Sequence, residues 1–262
     1  MKARGLFVTG TDTGVGKTRV AVALIHALRA QGLRVAAMKP VSAGHVPQGD
    51  SDPLRAEARV ESYAPQGDSD PLRAEARVES YAPGGLNEDV VALLRATNIE
   101  ADLRDVNPYA FAEPIAPHIA AQRACVRIEL DVIAAAYSRL AAAADVVVVE
   151  GAGGWRVPLN ERDDMSDLAQ RLGLPVVLVV GMRLGCLNHA LLTAESIARR
   201  QVPWAGWVAN HVDPAMACQA ENLAALHARL PGRCLGVQAF QTAAVSSGSA
   251  PQWLTLPDEL VS

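Results

Sequence analysis

Short apolar runs alternate along the chain with longer stretches whose apolar residues recur every three or four positions. Gly5–Thr9 is one such run, closed by a glycine-rich turn, and it predicts a buried strand. Val20, Leu24 and Leu28 then repeat at helical spacing, which predicts a helix over Lys17–Gln31. Gly32 follows where a helix end calls for a residue free of Cβ strain. Leu33–Met38 reads as a second strand. Later helices are predicted over Ile128–Ala144, Met165–Leu172, His189–Arg200 and Ala215–Leu230. The strands between them are Asp145–Glu150, Pro175–Val180, Trp204–Asn210 and Cys234–Val237. Nearly all-apolar strands alternating with helices predict an α/β fold: a mostly parallel sheet with helices on both faces.

One segment breaks the pattern. Residues 48–65 read QGDSDPLRAEARVESYAP, and residues 66–83 repeat them letter for letter. Two copies of 18 residues are too few and too short for a solenoid. Asp52-Pro53 and Asp70-Pro71 can each open a short helix. Arg55/Arg59 and Glu57/Glu61 place like charges four apart, which weakens it. The segment reads as a tandem duplication in a surface loop with no catalytic role. The expected organisation is one α/β domain over residues 1–262 with a duplicated surface insertion at 48–83.

Composition then narrows the function. With 50% hydrophobic residues in 262, a substantial core can be buried. A net charge of -4 without a basic stripe argues against nucleic acid as a partner. The longest apolar run, Leu174–Gly181, is too short to span a bilayer, so no membrane partner is expected. Met1–Phe7 passes into a strand without signal-peptide architecture. Cys125, Cys186, Cys218 and Cys234 are scattered and show no metal-type spacing, as expected of reduced thiols in a cytoplasmic protein.

The chemistry starts at Gly10-Thr-Asp-Thr-Gly-Val-Gly16-Lys17-Thr18, set between a predicted strand and a predicted helix. Glycines let backbone N–H groups turn inward onto phosphate oxygens, and the helix N-terminus favours an anion. Lys17 offers a point charge to the β- and γ-phosphates and Thr18 a hydroxyl to Mg²⁺. The loop has one residue more than the common Gly-x-x-x-x-Gly-Lys-Ser/Thr form. Its setting makes the fold one of P-loop NTPase type, with a Mg-nucleoside triphosphate as the expected ligand. Lys39 ends the second strand at the carboxyl edge of the sheet, where open α/β folds bind ligands. Beside a phosphate loop it is a candidate stabiliser of transferring phosphoryl oxygens. Glu150 closes a buried strand before Gly151-Ala152-Gly153-Gly154, where phosphate-loop enzymes keep a Mg²⁺-directed carboxylate. Asn210 ends another strand with an amide able to read a base edge, or to form a turn before Asp213-Pro214. His26, His189 and His227 lie in helical patterns and read as packing or surface residues.

Several strings together resemble the dethiobiotin synthetase family: VTGTDTGVGKT (Val8–Thr18), MKPVSAG (Met38–Gly44) and NPYAFAEPIAPHIAA (Asn107–Ala121). VVVVEGAGGWRVPL (Val146–Leu159), LPVVLVVGMRLGCLNHALLT (Leu174–Thr193) and GWVANHV (Gly206–Val212) continue the likeness in the same order. The longer loop is that family's form. The resemblance implies an ATP- and Mg²⁺-dependent ligase that closes a ureido ring on 7,8-diaminopelargonate with CO₂. A carbamate and a carbamic-phosphoric anhydride are the implied intermediates, and ADP and phosphate the implied by-products. It implies that Thr13 and Lys39 face the carbamate while Lys17 reaches the γ-phosphate. Thr18, Asp89 and Glu150 would hold Mg²⁺, with Asp89 chosen for its Gly85-Leu86 context over Asp52 and Asp70 in the repeat. Gly14, Val15, Gly16 and Arg19 would line the ATP site from the loop, with Gly151, Ala152 and Gly153 from the second glycine-rich turn. Asn210 and His211 would meet the adenine. Ala43 and Gly153 would border the substrate. Gly185, Cys186, Leu187 and Asn188 would reach its carboxylate across a homodimer interface.

The chain departs from the family at Ala43, at Ala116 and at Gln238-Ala-Phe240, each time losing a usual serine or proline. Two rivals are a partitioning-type P-loop ATPase and an inactive, nucleotide-binding paralogue. The first commonly carries a second lysine early in the loop, where this chain has Thr11 and Thr13.

Overall fold

The computed structural model describes residues 4–44, 85–241, 251–257 and 260. The repeat, its two Asp-Pro helix starts and the rival aspartates Asp52 and Asp70 lie outside them. Six strands form one sheet in the order β2-β5-β1-β6-β7-β8. They are β1 (Arg4–Gly10), β2 (Val35–Met38), β5 (Val146–Glu150), β6 (Val176–Met182), β7 (Trp204–His211) and β8 (Cys234–Gln238), and every pairing is parallel. Such strands are covered on both faces, so each residue of β5 is buried and the valine run Val146–Val149 is at most 1% exposed. Burying each valine stabilises by about 1.5–3 kcal/mol over exposure.

Alternation along β6 shows the two layers. Val177 and Val179 pack with Val20, Leu24 and Leu28 of α1 (Lys17–Ala30) and with Leu93 of α2 (Glu88–Ala96). Leu178, Val180 and Met182 face the other way, onto Ala190 and Ala194 of α7 (Cys186–Arg199) and Leu226 of α8 (Gln219–Arg229). On that second face α5 (Leu130–Ala143) and α6 (Met165–Leu172) cover β5 through Ile133, Tyr137 and Leu168. The predicted class therefore holds: a mostly parallel sheet with flanking helices.

Details differ for local reasons. α1 ends at Ala30, and Gly32, with φ 80°, takes the left-handed turn foreseen for it. That turn delays β2 to Val35. Helix α7 opens at Cys186, three residues before the predicted start, because Gly185 at φ 95° turns straight into it. Helix α8 opens at Gln219, after Cys218 at φ 53° has broken the path from Ala215. The short elements escaped the periodicity: β3 (Val41–Ala43) pairs with β4 (Tyr109–Phe111), and α3 (Leu103–Val106) and α4 (Pro117–Arg123) flank them.

Candidate active site

The site gathers at the carboxyl ends of β1, β2 and β5. β1 ends at Gly10, and the loop turns through Gly14 (φ 72°) and Gly16 (φ 87°) into α1. At Gly16 the need for glycine is also steric, since a Cβ there would lie 2.1 Å from Asn210 Nδ2. Gly16 gives α1 no side-chain cap, so the first-turn N–H groups face an anion without a competitor. Lys17 is 6% exposed and donates to the Asp12 carbonyl at 3.0 Å, folding back over the loop. Burial pushes its ammonium down to about 8, and neighbouring Lys39 adds to the effect against Glu150 and Asp89. A bound polyphosphate would relieve both penalties.

Lys39 extends one residue past β2. Its N–H donates to the Val106 carbonyl at 2.7 Å, and its own carbonyl accepts from Asn107 Nδ2 at 2.6 Å. Thus clamped, the buried ammonium reaches Asp89 Oδ2 at 2.8 Å and Glu150 Oε1 at 2.6 Å. Asp89 stands in the first turn of α2, where the Asn87 side chain caps its N–H at 3.0 Å. Glu150 ends β5 wholly buried. Thr18 Oγ1 lies 2.7 Å from Asp89 Oδ1 and 2.8 Å from Glu150 Oε1.

The charges are unevenly matched. Burial opposes the Lys39 ammonium, but Glu150 and Asp89 outweigh it and raise its pKa. Burial likewise opposes the Asp89 carboxylate, yet Lys39 and Thr18 hold it below its usual range. Glu150 is raised, by burial first, against the pull of Lys39. Its second oxygen, Oε2, is buried with no hydrogen-bond partner among the described residues. The cluster is therefore short of positive charge at Glu150. A hydroxyl and two carboxylates whose oxygens converge, one of them orphaned, form a hard-oxygen set that suits Mg²⁺.

The second glycine-rich turn lies against the first. A Cβ at Gly154 would sit 3.6 Å from the Gly10 carbonyl, and one at Gly153 would meet Val157 Cγ2 at 2.7 Å and Thr13 Oγ1 at 3.6 Å. Gly151 N–H donates to the Val8 carbonyl at 3.0 Å. Trp155 is buried, and its Nε1 donates to Ser196 Oγ at 3.2 Å, tying this turn to α7.

The structure thus joins Thr18, Lys39, Asp89 and Glu150 in one hydrogen-bonded network, with Lys17 electrostatically coupled to it and Thr13 against Gly153. Asn210 is buried at the end of β7 and donates from Nδ2 to the Val15 carbonyl at 2.8 Å, so it also fixes the loop. Ser42 does not substitute for the serine expected at position 43, because its hydroxyl donates to Asn107 Oδ1 at 2.9 Å, away from the open site. Ala43 is half-buried in β3, and its carbonyl accepts from Asn87. Ala116 leaves α4 without a side-chain cap. Gly185–Asn188 open α7, and among the described residues no hydrogen bond or ion pair joins them to the Lys39 network. Asn107 and the Asp12–Arg183 ion pair, which ties the loop to the end of β6, were missed. A surface cleft lined by Arg156, Ser196, Arg199 and Arg200 lies apart, its arginines already paired with Asp164, Glu195 and Asp167.

A family model described as an AAA domain matches residues 4–238. The ATP-dependent dethiobiotin synthetase BioD of Nitrosospira multiformis is 47% identical over 89% of this chain and 87% of its own. The protein of the same name from Pseudomonas aeruginosa is 47% identical over 88% of this chain and 87% of its own. Among solved structures, septum site-determining protein MinD complexed with Mg-ADP from Pyrococcus horikoshii aligns over 90% of this chain and 80% of its own. That alignment has 13% identity and a TM-score of 0.49, too distant to bear on function.

Proposed function

The chain belongs to the ATP-dependent dethiobiotin synthetase family, and on that premise we propose that it closes a ureido ring on 7,8-diaminopelargonate with CO₂ and MgATP, giving dethiobiotin, ADP and phosphate. The observation that carries this reading is the hydrogen-bonded convergence of Lys39, Thr18, Asp89 and Glu150, with buried Lys17 electrostatically coupled to them. The reaction needs no enzyme nucleophile: positioning and charge neutralisation suffice.

One substrate amine adds to CO₂, losing a proton to give a carbamate, which Lys39 and Thr13 receive. A carbamate oxygen attacks the γ-phosphorus, and ADP leaves. Lys17 and the loop N–H groups hold the phosphoryl oxygens as charge moves. The second amine attacks the carbamoyl carbon and loses a proton, the bond from that carbon to the phosphate oxygen breaks, and phosphate departs with the ring closed. Thr18, Asp89 and Glu150 would hold Mg²⁺, which supplies charge neutralisation at the β- and γ-phosphates. Gly14, Val15, Gly16, Arg19 and the Gly151–Gly153 turn surround the nucleotide. Asn210 and His211 take its base.

Gly185–Asn188, at the start of α7 with Gly185 and Asn188 exposed and Cys186 buried, serve the partner subunit's substrate in a homodimer. Support for this comes from their separation from the chain's own Lys39 network, and from Leu184 beside them, an apolar side chain 95% exposed. The setting is the cytoplasm, in keeping with four free cysteines; no helix among the described residues is long and apolar enough to cross a membrane. The test is dethiobiotin formation from purified protein, diaminopelargonate, bicarbonate and MgATP. ATP hydrolysis that ignores diaminopelargonate would contradict the assignment.

A further inference from the structure

Lys39 reaches the charge cluster from just past the regular sheet. β2 is the edge strand of that sheet among the described residues, and its pairing with β5 ends at Met38↔Val149. Lys39 comes next, and Pro40 after it has no N–H to donate. The Lys39 backbone is held by other means. Its N–H donates to the Val106 carbonyl at 2.7 Å, and its carbonyl accepts from Asn107 Nδ2 at 2.6 Å. The Asn107 amide thus does for this carbonyl what the N–H of a neighbouring strand would do.

The amide is itself fixed at both ends. The carbonyls of Lys39 and Tyr109 can only accept, so the NH₂ end of Asn107 faces them, at 2.6 and 3.2 Å. Its oxygen then faces Ser42, whose hydroxyl donates to it at 2.9 Å. The Asn107 N–H closes the end of α3 on the Leu103 carbonyl at 2.8 Å. Asn107 and Ser42 are each 1% exposed, so water competes little for these bonds. A lysine carries its charge on a flexible four-carbon stem, and where the ammonium can go depends on where the Cα is held.

On the reading that Lys39 receives the carbamate, we infer that Asn107 is a positioning residue for that lysine, with Ser42 fixing the orientation of its amide. A reacting constellation has to be held within about 0.5 Å of its productive geometry, and a misplacement of about 1 Å can lower the rate 10²-fold. Releasing the Lys39 carbonyl shifts the root of the side chain. Lys17 and the phosphate loop hang from β1 and α1, on separate backbone.

The experiment compares Asn107→Ala and Ser42→Ala in the full chain, each alone and together with Lys39→Met. Turnover to dethiobiotin is taken per MgADP site counted by calorimetry, so that unfolded protein does not register as slow enzyme. Asn107→Ala should lower turnover per site about 10²-fold, with MgADP affinity within about twofold of the parent. Ser42→Ala should lower it about tenfold, the scale of one buried hydrogen bond. In the Lys39→Met background neither should lower it by more than about twofold again, because residues that act through one group are not additive. Parental turnover per site, a MgADP affinity that falls in step with turnover, or undiminished losses without Lys39 would each overturn the assignment. If Asn107→Ala does not fold, Ser42→Ala carries the same comparison. A second readout needs no ring closure. The chain holds three lysines, Lys2, Lys17 and Lys39. In protein carrying ¹³C-labelled lysine, Ser42→Ala should shift the Lys39 ε-methylene signal more than that of Lys17. A Lys39 signal that moves no more than its neighbour's would overturn the positioning role even where dethiobiotin forms. A moved signal with no dethiobiotin from the parent would sink the reaction and uphold the clamp.

Discussion

Replacing Glu150 by glutamine separates what this carboxylate costs the fold from what it does for the reaction. The side chain is wholly buried, with Oε1 accepting from Lys39 and Thr18 and Oε2 without a partner among the described residues. Glutamine keeps the shape and the Oε1 acceptor, and Lys39 keeps its ion pair with Asp89. Only one buried charge is lost. Opposite charges at the 2.6 Å separation of Lys39 and Glu150 attract by roughly 6 kcal/mol at an effective dielectric of 20. Desolvating the carboxylate costs several kcal/mol in the other direction. The terms nearly cancel, so nucleotide-free stability should stay within about 2 kcal/mol of the parent. The reaction has no such compensation. Losing this carboxylate from the divalent-ion site should cut turnover by about 10²–10³-fold, on the scale of one missing electrostatic group at a reacting centre. Stabilisation by MgATP, about 2.7 kcal/mol at 100 times Kd in the parent, should shrink with it. Urea unfolding with and without MgATP, beside dethiobiotin formation, reads all three. A variant more than about 4 kcal/mol less stable yet within tenfold of parental turnover would make Glu150 a structural carboxylate and refute the reasoning.

Lys39→Met should lower turnover by about 10²–10³-fold while MgADP affinity changes far less, because Lys17 and the loop amides remain; an equal loss of both would move Lys39 into nucleotide binding. Ala116→Ser supplies the cap that α4 lacks and should add about 0.5–1 kcal/mol, seen as a higher melting temperature with activity unchanged. Asp164→Ala removes a capping box at α6 and should cost about 1–2 kcal/mol near neutrality. Burial opposes the Asp164 carboxylate, but hydrogen bonds from Ser166 and Arg156 outweigh it and hold its pKa below 3.8. A depressed acid stabilises fully above its unfolded value and loses that contribution as pH falls through the folded one. The gap between parent and variant should therefore be complete at neutral pH and close below about pH 3.8 in urea titrations, whereas a gap constant with pH would refute the assignment.

The parts of the fold legible in the sequence are those fixed by local pattern. Valine runs such as Val146–Val149 can only be buried strands, and the glycines around Lys17 state their turn chemistry within nine residues, Gly10–Thr18. Asp89 was chosen through the resemblance, because the family's aspartate follows a glycine-leucine pair and here an apolar helix follows it. β3 and β4 are three residues each and α3 is four, too short for any period to show. The clamp of Asn107 on Lys39 joins residues 68 apart, and the pairing of Arg183 with Asp12 joins residues 171 apart. Neither leaves a local trace.

The central claim is that a carbamate oxygen attacks the γ-phosphorus in the cluster of Lys17, Lys39 and Glu150. In that sequence the attacking oxygen comes from CO₂ and departs with phosphate. Turnover of diaminopelargonate and MgATP with freshly mixed ¹⁸O-labelled CO₂ should therefore yield dethiobiotin and an equal amount of phosphate carrying one labelled oxygen. Dethiobiotin formed with phosphate whose new oxygen derives from water would contradict it.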